Sequence, residues 1–390
     1  MKYYIDVSYN SINKWGEELC GDHIEIVKSD DGVIIVLADG LGSGVKANIL
    51  ATLTSKIAVT MLKEGASLEE TIDTISNTLP ECQVRRLAYS TFTIIKVQND
   101  GGVYIAECDN PPFFIFDNGR DRKIYKEKKT LNGKVIYESQ FRMDQDGLLT
   151  VVSDGAVHAG VGKLLNLGWQ WENINDFLRE IAKKEKCSKN VSRHLINACE
   201  NLYDNKPGDD TTVVSIKLRQ PEVVNLFTGP PESMEDDIKL VNYLKHSAGK
   251  IVVSGGTTAN IVSRILNRAL IVDMDTYAED VPPMARIEGV DLVTEGVLTM
   301  KKTLEIIKET LLINDHLIYQ KLLNENNGAS KLAKILLEDC THLHIWLGRA
   351  VNPAHQNPKF PIDFNIKVNI VKELQDILNF LGKEVEVTYI

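Results

Sequence analysis

A chain of 390 residues is too long for most single cores and long enough for two domains that each bury their own. With 43% hydrophobic and 25% charged residues it has the make-up of an ordinary globular protein, and no apolar run comes near the ~20 residues of a membrane span. A formal net charge of −10 counts against electrostatic capture of nucleic acid or anionic lipid, so neither nucleic acid nor a membrane is an expected partner. The opening Met-Lys-Tyr-Tyr-Ile-Asp lacks the apolar stretch of a secretory signal, and the six cysteines are scattered without a CxxC pair. A cytoplasmic protein with reduced thiols is the expectation.

Asp22 to Val27 and Val33 to Ala38 read as strands, and Asp30-Asp31-Gly32 between them is turn chemistry. Folding the hairpin about that turn sets Asp22 beside Asp39 at one rim. Gly40-Leu-Gly42-Ser-Gly44 is too glycine-rich for either regular element, and it leads into two helical patterns, Val45 to Lys63 and Leu68 to Thr78. Ser90 to Val97 and Val103 to Glu107 flank the hairpin signal Asn99-Asp100-Gly101-Gly102. Phe113 to Phe116, Lys123 to Tyr125 and Val135 to Tyr137 have strand character, and the basic cluster Arg120 to Lys129 reads as a solvated hairpin.

The buried-strand run Leu148 to Ser153 ends in Asp154-Gly155, repeating the pattern that ends in Asp39-Gly40. Two helical patterns, Ile174 to Lys184 and Val191 to Tyr203, precede Asp209-Asp210 and the strand Thr211 to Leu218. If these two strands are antiparallel neighbours, their acids share a rim as Asp22 and Asp39 do. Strands in runs with helices inserted in pairs predict an α+β fold, sheet on sheet with helices outside.

The pattern changes at Arg219-Gln220-Pro221, which places a boundary near residue 220 and domains at 1–219 and 222–390. Beyond it apolar strand runs alternate with helices: Val223 to Phe227, Met234 to His246, Lys250 to Val253, Thr258 to Asn267 and Ala269 to Val272. Thr299 to Leu312, Ser330 to Leu337, Thr341 to Trp346, Val368 to Leu381 and Val385 to Tyr389 continue it. That alternation predicts an α/β domain with a mostly parallel sheet. Its sharpest feature is Ser254-Gly255-Gly256-Thr257-Thr258, a strand running through a Gly/Thr turn into a helix, which suits a small anionic ligand, although it lacks both the Walker lysine and GxGxxG spacing and a plain tight turn is the commoner case. Thr228-Gly229, Asp273 and Asp275 would share its rim, with Glu295-Gly296 nearby. His342 and His344 fall on one face of a strand, where hydrogen-bonded histidines are the commoner case than metal ligands. Gly348 to Pro361 reads as an ordered loop.

Two close carboxylates without partners repel, so either one is protonated or a cation sits between them. Asp22, Asp39, Asp154 and Asp209, each where a strand meets a tight turn, match the oxygen ligands that Mg²⁺ or Mn²⁺ takes, and glycine at 40 and 155 leaves room for a backbone carbonyl to approach. Taken singly, each Asp-Gly or Gly-Asp-Asp is an ordinary turn.

In their order, Gly21-Asp22, Ala38-Asp39-Gly40-Leu-Gly42-Ser-Gly44 with Ala47, Ala88 to Ile94, Asn110-Pro-Pro112, Ser153-Asp154-Gly155 and Asp209-Asp210-Thr-Thr212 carry a resemblance. From about Asp6 to Leu218 the chain resembles the metal-dependent protein phosphatases of the PPM (2C-like) superfamily, in particular the bacterial branch typified by stage II sporulation protein E. The resemblance implies two Mn²⁺ or Mg²⁺ ions in a central β-sandwich flanked by helices. By motif position Asp39 would bridge both ions, Gly40 would add its carbonyl, Asp154 and Asp209 would complete one ion, Asp22 would bind directly or through water, and Asp210 would stand behind them. Asp39 and Asp154 would thereby be catalytic, and His158 lies near enough in sequence to Asp154 to donate a proton to a leaving group, although a loop histidine without a role is the commoner case.

The implied activity is hydrolysis of phosphoserine or phosphothreonine by a metal-activated water in bacterial signalling, with the second domain regulating or targeting it. An anti-sigma-factor antagonist is one candidate phosphoprotein, and a homodimer is one candidate assembly. Two other readings stay open: a phosphatase for a small phosphate ester or nucleotide, and a non-catalytic binding module of the same fold. The chain departs from the pattern in lacking an arginine near the first hairpin, where the nearest cations, Lys14 and Lys46, each read as surface lysines, and in lacking a small pair before Pro111. In relatives the helices here spanning Val45 to Thr78 control metal occupancy.

Overall fold

The structure of the protein, a computed structural model, describes residues 2–78, 90–313, 315–350 and 362–390, with the backbone alone at 362–365. The first two residues of the Ala88 to Ile94 motif, and most of the loop predicted over Gly348 to Pro361, lie outside the described residues. The chain divides into two compact units, Met1–Gln220 and Pro221–Ile390.

The first unit begins with β1 (Tyr4–Ile12), the hairpin β2 (Asp22–Ser29) and β3 (Gly32–Gly40), and the helices α1 (Gly44–Lys63) and α2 (Leu68–Thr78). Then come β4 (Ser90–Gln98), β5 (Gly102–Cys108), β6 (Phe114–Asp117), β7 (Arg120–Asp121), β8 (Glu127–Leu131), β9 (Lys134–Arg142) and β10 (Leu148–Val152). The single turn α3 (Asp154–Val157), α4 (Trp171–Ala182), α5 (Ser188–Leu202) and β11 (Thr211–Arg219) complete it.

Two antiparallel sheets result, in the orders β1-β11-β10-β6-β7 and β2-β3-β4-β5-β9-β8. Alternation along β3 explains the layers. Ile35 and Leu37 face Leu149, Val151, Val214 and Ile216 of the other sheet, while Val36 and Ala38 face Leu50, Ala51, Ala58 and Ile72 of α1 and α2. On the far side, Phe114, Val152 and Val213 pack under Ile174, Leu178 and Leu195 of α4 and α5. Each of these Val, Leu, Ile and Phe side chains removed from water contributes ~1.5–3 kcal/mol before entropy is counted, and each alanine less. Among the described helices α1 alone is long and apolar enough to cross a membrane, contrary to the expectation of no such run; its buried face lies against β2 and β3, as in a core helix.

Lys123 to Tyr125 is not a strand: the chain there crosses from one sheet to the other. Ile124 joins the sandwich core, and Lys126 pairs with Glu107 over the Phe113 ring. Of the neighbouring basic residues, Arg122 pairs with Asp117 at 3.1 Å and Lys129 with Glu138 at 3.0 Å.

The second unit comprises β12 (Val223–Thr228), α6 (Asp236–His246), β13 (Lys250–Ser254), α7 (Gly256–Leu266), β14 (Ile271–Asp273), β15 (Met284–Arg286) and β16 (Leu292–Thr294). It continues with α8 (Val297–Leu312), α9 (His316–Leu323), α10 (Gly328–Lys334), β17 (His342–Leu347), α11 (Ile362–Phe380) and β18 (Glu384–Tyr389). Its sheet runs β14-β15-β16-β13-β12-β17-β18. The five strands from β16 to β18 are parallel, and β15 pairs antiparallel with both β14 and β16. Leu226 and Ile345 face Met300, Ile307 and Leu374 on one side; Phe227 and Val253 face Leu240 and Val262 on the other. The sheet is covered on both faces, which is why its strands read as unbroken apolar runs.

Candidate metal centre

Each predicted acid of the first unit sits where a sandwich strand stops. Asp22 opens β2 and pairs in register with Asp39, the last residue but one of β3. Asp154 follows β10 by two residues, and Asp209 and Asp210 immediately precede β11; these strands are antiparallel neighbours with Val152 opposite Val213. The two strand pairs belong to different sheets and meet at Asp210: a Cβ on Gly21, beside Asp22, would stand 2.7 Å from Asp210 Oδ2, while within the β10–β11 pair a Cβ on Gly155 would stand 2.1 Å from the Asp210 carbonyl oxygen. Asp210 is wedged between the strand pairs, and the Lys14 backbone N–H donates to its Oδ1 at 3.0 Å.

Asp22 is 5% exposed and Asp210 4%, yet neither oxygen of Asp22, nor Asp210 Oδ2, has a hydrogen-bond partner. Two other buried acids show the usual remedy. Asp6 accepts from the Ser188 N–H at 2.9 Å and from its hydroxyl at 2.8 Å; Glu107 accepts from the Phe113 N–H at 2.9 Å and pairs with Lys126.

Burial pushes the Asp39 carboxyl up to about 9, with the charges of Asp22, Asp154, Asp209 and Asp210 adding to it. Asp22 rises to about 7, by burial first and then by Asp210 and Asp154. The hydroxyls of Ser153 and Thr212 lie near enough to moderate that rise, without a hydrogen bond of normal geometry. Asp209 is raised by burial and Asp154 and eased by Lys14, and the Cys20 thiol is raised by burial, Asp22 and Asp210. Five carboxylates that disfavour one another's charge, with buried oxygens left bare, form a donor set fitted to hard divalent cations.

The two loop glycines have packing roles that the sequence did not suggest. A Cβ on Gly40 would meet the Ala47 carbonyl oxygen at 2.1 Å, so glycine lets α1 close over the strand end. The Gly155 carbonyl accepts from the Tyr203 hydroxyl at 2.8 Å. His158 is exposed at the end of α3, where its backbone N–H donates to the Asp154 carbonyl at 3.0 Å; among the described residues no hydrogen bond links its imidazole to the acids. Lys14 is half-buried and close enough to Asp209 to lower its pKa, whereas Lys46 is exposed on α1.

Sequence reasoning missed Glu17, whose Oε1 accepts from the Ser43 hydroxyl at 3.0 Å at the start of α1; no motif marks it. It also missed that Asn110 accepts from the Thr91 hydroxyl at 2.6 Å and donates to Thr93 at 3.1 Å, beside Asp39, the register partner of Thr91. The Asn110-Pro111-Pro112 run was the available signal.

In the second unit Thr228, Ser254 and Thr294 end β12, β13 and β16 in register, and the Ser254–Thr258 turn joins β13 to α7. Glu295-Gly296 follows β16 directly. Asp273 does not share this rim as expected: β15 and β16 stand between β14 and β13, and Asp273 pairs with Arg286 at 2.7 Å. His342 contacts Thr341 Oγ1 at 2.7 Å and Glu384 at 3.3 Å, while His344 contacts Thr388 Oγ1 at 2.9 Å and stacks on Trp346.

Residues 29–219 match the family model of stage II sporulation protein E, SpoIIE. No curated protein matches the chain. Among solved structures, the PP2C phosphatase domain with a fragment of the regulatory domain of SpoIIE from Bacillus subtilis is similar at 19% identity and a TM-score of 0.48. The match covers 56% of this chain and 63% of that one, so this chain spans less than two thirds of it. The RsbU and RsbW domains of a Mycobacterium tuberculosis protein are similar at 15% identity over 63% of this chain and 68% of that one, with a TM-score of 0.46. RsbX in complex with magnesium is similar at 17% identity over 55% and 95%, with a TM-score of 0.40.

Proposed function

We propose, from the premise that the N-terminal unit is a SpoIIE-type domain of the PPM phosphatases, that it hydrolyses phosphoserine or phosphothreonine on a protein partner in bacterial signalling. Asp22, Asp39, Asp154, Asp209 and Asp210 would hold Mn²⁺ or Mg²⁺. One observation carries this reading: a buried aspartate with both oxygens bare beside four more acids, where the buried Asp6 and Glu107 of the same domain are partnered at both oxygens. Ions bound there supply charge that offsets the phosphoryl oxygens and lowers the pKa of water.

The chain's own residues do the rest. Asp39 feels all four other carboxylates and so stands at the centre of the set. Asp210 is fixed by the Lys14 amide and by the close approach of Gly155 and Gly21, and so stands against Asp22 of the other sheet's strand pair. The Lys14 ammonium, half-buried beside Asp209, is the cation placed to take a phosphoryl oxygen, in the role for which an arginine is missing. A rim preorganised in this way spends little on reorganisation when substrate arrives.

The test is turnover of p-nitrophenyl phosphate and of a phosphoserine peptide by the full chain with Mn²⁺ or Mg²⁺. Metal-dependent release of phosphate from both, abolished by EDTA, is expected. Turnover of nucleotides with none of the peptide would move the assignment to a small phosphate ester. No turnover by protein shown to bind Mn²⁺ would leave a binding module.

A further inference from the structure

We propose that the second unit binds a phosphate group, as an ester or the free ion, in the crevice between the start of α7 and the start of α8. In a doubly covered parallel sheet, the carboxyl ends of the strands form the ligand-bearing rim. Here β13 and β16 are neighbours in that sheet, and each ends in a hydroxyl residue, passes through glycine and starts a helix. The two turns are fastened together: the Gly255 N–H donates to the Thr294 carbonyl at 2.8 Å, and the Ser254 hydroxyl donates to the Glu295 carbonyl at 2.9 Å.

Two helix N-termini therefore open side by side, α7 with 11 residues and α8 with 16, and neither has a side-chain cap. Each presents first-turn amides and roughly half a positive charge. Between them lies a cradle: a Cβ on Gly255 would touch only Thr258 Oγ1 at 3.5 Å and the Gly296 Cα at 4.0 Å. Gly255 has φ +131, a conformation that keeps a side chain out of this space. Thr258 is fully buried in the first turn of α7, and its Oγ1, facing the cradle, has no hydrogen-bond partner. A buried hydroxyl without a partner is costly unless something completes it.

One group already behaves as the missing anion. Glu295 Oε2 accepts from the Gly296 N–H at 3.1 Å, and Oε1 stands 2.9 Å from where a Cβ on Gly256 would be, so this carboxylate lies against both helix starts. Glu295 is otherwise exposed, and Gly255, Gly256 and Thr257 are open to solvent. A phosphate, with more acceptor oxygens and more charge, displaces this side chain outward, takes the amides of both helices and accepts from Thr258.

Calorimetric titration of inorganic phosphate into the full chain in excess EDTA tests this, with ribose 5-phosphate as a second probe. Saturable binding is expected, weakened at least about fivefold by Thr258→Val, restored by Thr258→Ser and tightened severalfold by Glu295→Gln, with the Asp39→Asn variant binding like the parent. Ribose 5-phosphate binding at the same site with equal or higher affinity identifies an ester as the ligand; preference for inorganic phosphate identifies the free ion. Absence of saturable binding, equal binding by Thr258→Val and the parent, no gain in Glu295→Gln, or loss of binding in Asp39→Asn would each overturn the proposal.

Discussion

At the rim of the N-terminal sandwich the strand ends deliver carboxylates, with Asp22, Asp39, Asp154, Asp209 and Asp210 each raising a neighbour's pKa or having its own raised. At the rim of the C-terminal sheet they deliver hydroxyls and helix starts, with Thr228, Ser254 and Thr294 in register and two uncapped N-termini behind them. Both rims put chemistry where strands end, but with opposite sign. Surplus negative charge in a buried place must be answered by a cation or by protons, at several kcal/mol if neither comes. Surplus amide dipoles are answered adequately by water or a neighbouring carboxylate. Changes at the first rim are therefore expected to act strongly, and those at the second to act as modest shifts in affinity.

The largest effect is expected at Asp39. Asp39→Asn keeps the shape but removes the charge on which the other four acids converge, and metal-dependent turnover of p-nitrophenyl phosphate should fall at least about a hundredfold, the scale of losing one preorganised electrostatic group. Circular dichroism should stay unchanged. Turnover within a few-fold of the parent would break the contrast between the rims.

Next comes Gly155→Ala, which tests how closely Asp154 and Asp210 are held at the end of the β10–β11 pair. The added Cβ would stand 2.1 Å from the Asp210 carbonyl, so Asp154 and Asp210 must separate at a strain of about 1–3 kcal/mol. Mn²⁺ affinity measured by calorimetry should drop about tenfold or more, since that strain is set against binding. Unaltered affinity would mean that this approach does not set the geometry.

Much of this was legible in the sequence, for physical reasons that vary by residue. The Asp22–Asp39 pairing follows from a turn at Asp30-Asp31-Gly32 and strict alternation in two strands, which together fix register. Asp154 and Asp209 were found because buried runs end sharply at acid-glycine turns. The wedge of Asp210 against Gly21 was not legible, because it joins residues of different sheets through packing that leaves no local pattern. Lys123 to Tyr125 has strand composition, but its residues bridge two sheets and pair with neither. The strand β16, three residues long, is too short to show a period, so the Glu295–Gly296 turn beside Gly255 emerged only from the fold. Asp273 looked equivalent to Ser254 until β15 and β16 came between them.

A smaller effect is expected at Lys14. Its charge lowers the pKa of Asp209 but is not needed to hold the fold, so Lys14→Ala should reduce kcat/KM about tenfold, roughly 1.4 kcal/mol. Lys14→Arg should recover most of it and lessen the dependence on salt less than alanine does. Equal kinetics for all three would remove Lys14 from the site.

The smallest effect separates protons from metal as the answer to buried charge. In metal-free protein the Asp39 and Asp22 carboxyls titrate near 9 and 7, above the ordinary unfolded value of 3.8. Between those limits the folded state binds more protons than the unfolded chain, so stability must fall as pH rises, with the loss complete only above the folded values. The melting temperature of EDTA-treated protein should thus decline steadily from pH 6 to pH 9, each kcal/mol lost lowering it by about 2–4 °C for a unit of this size. Saturating Mn²⁺ should flatten the decline by replacing protons as the neutralising charge, and Asp39→Asn should flatten it without metal. A melting temperature that rises with pH in EDTA would show that other groups outweigh the cluster, and that the acids are ionised and tolerated without a cation.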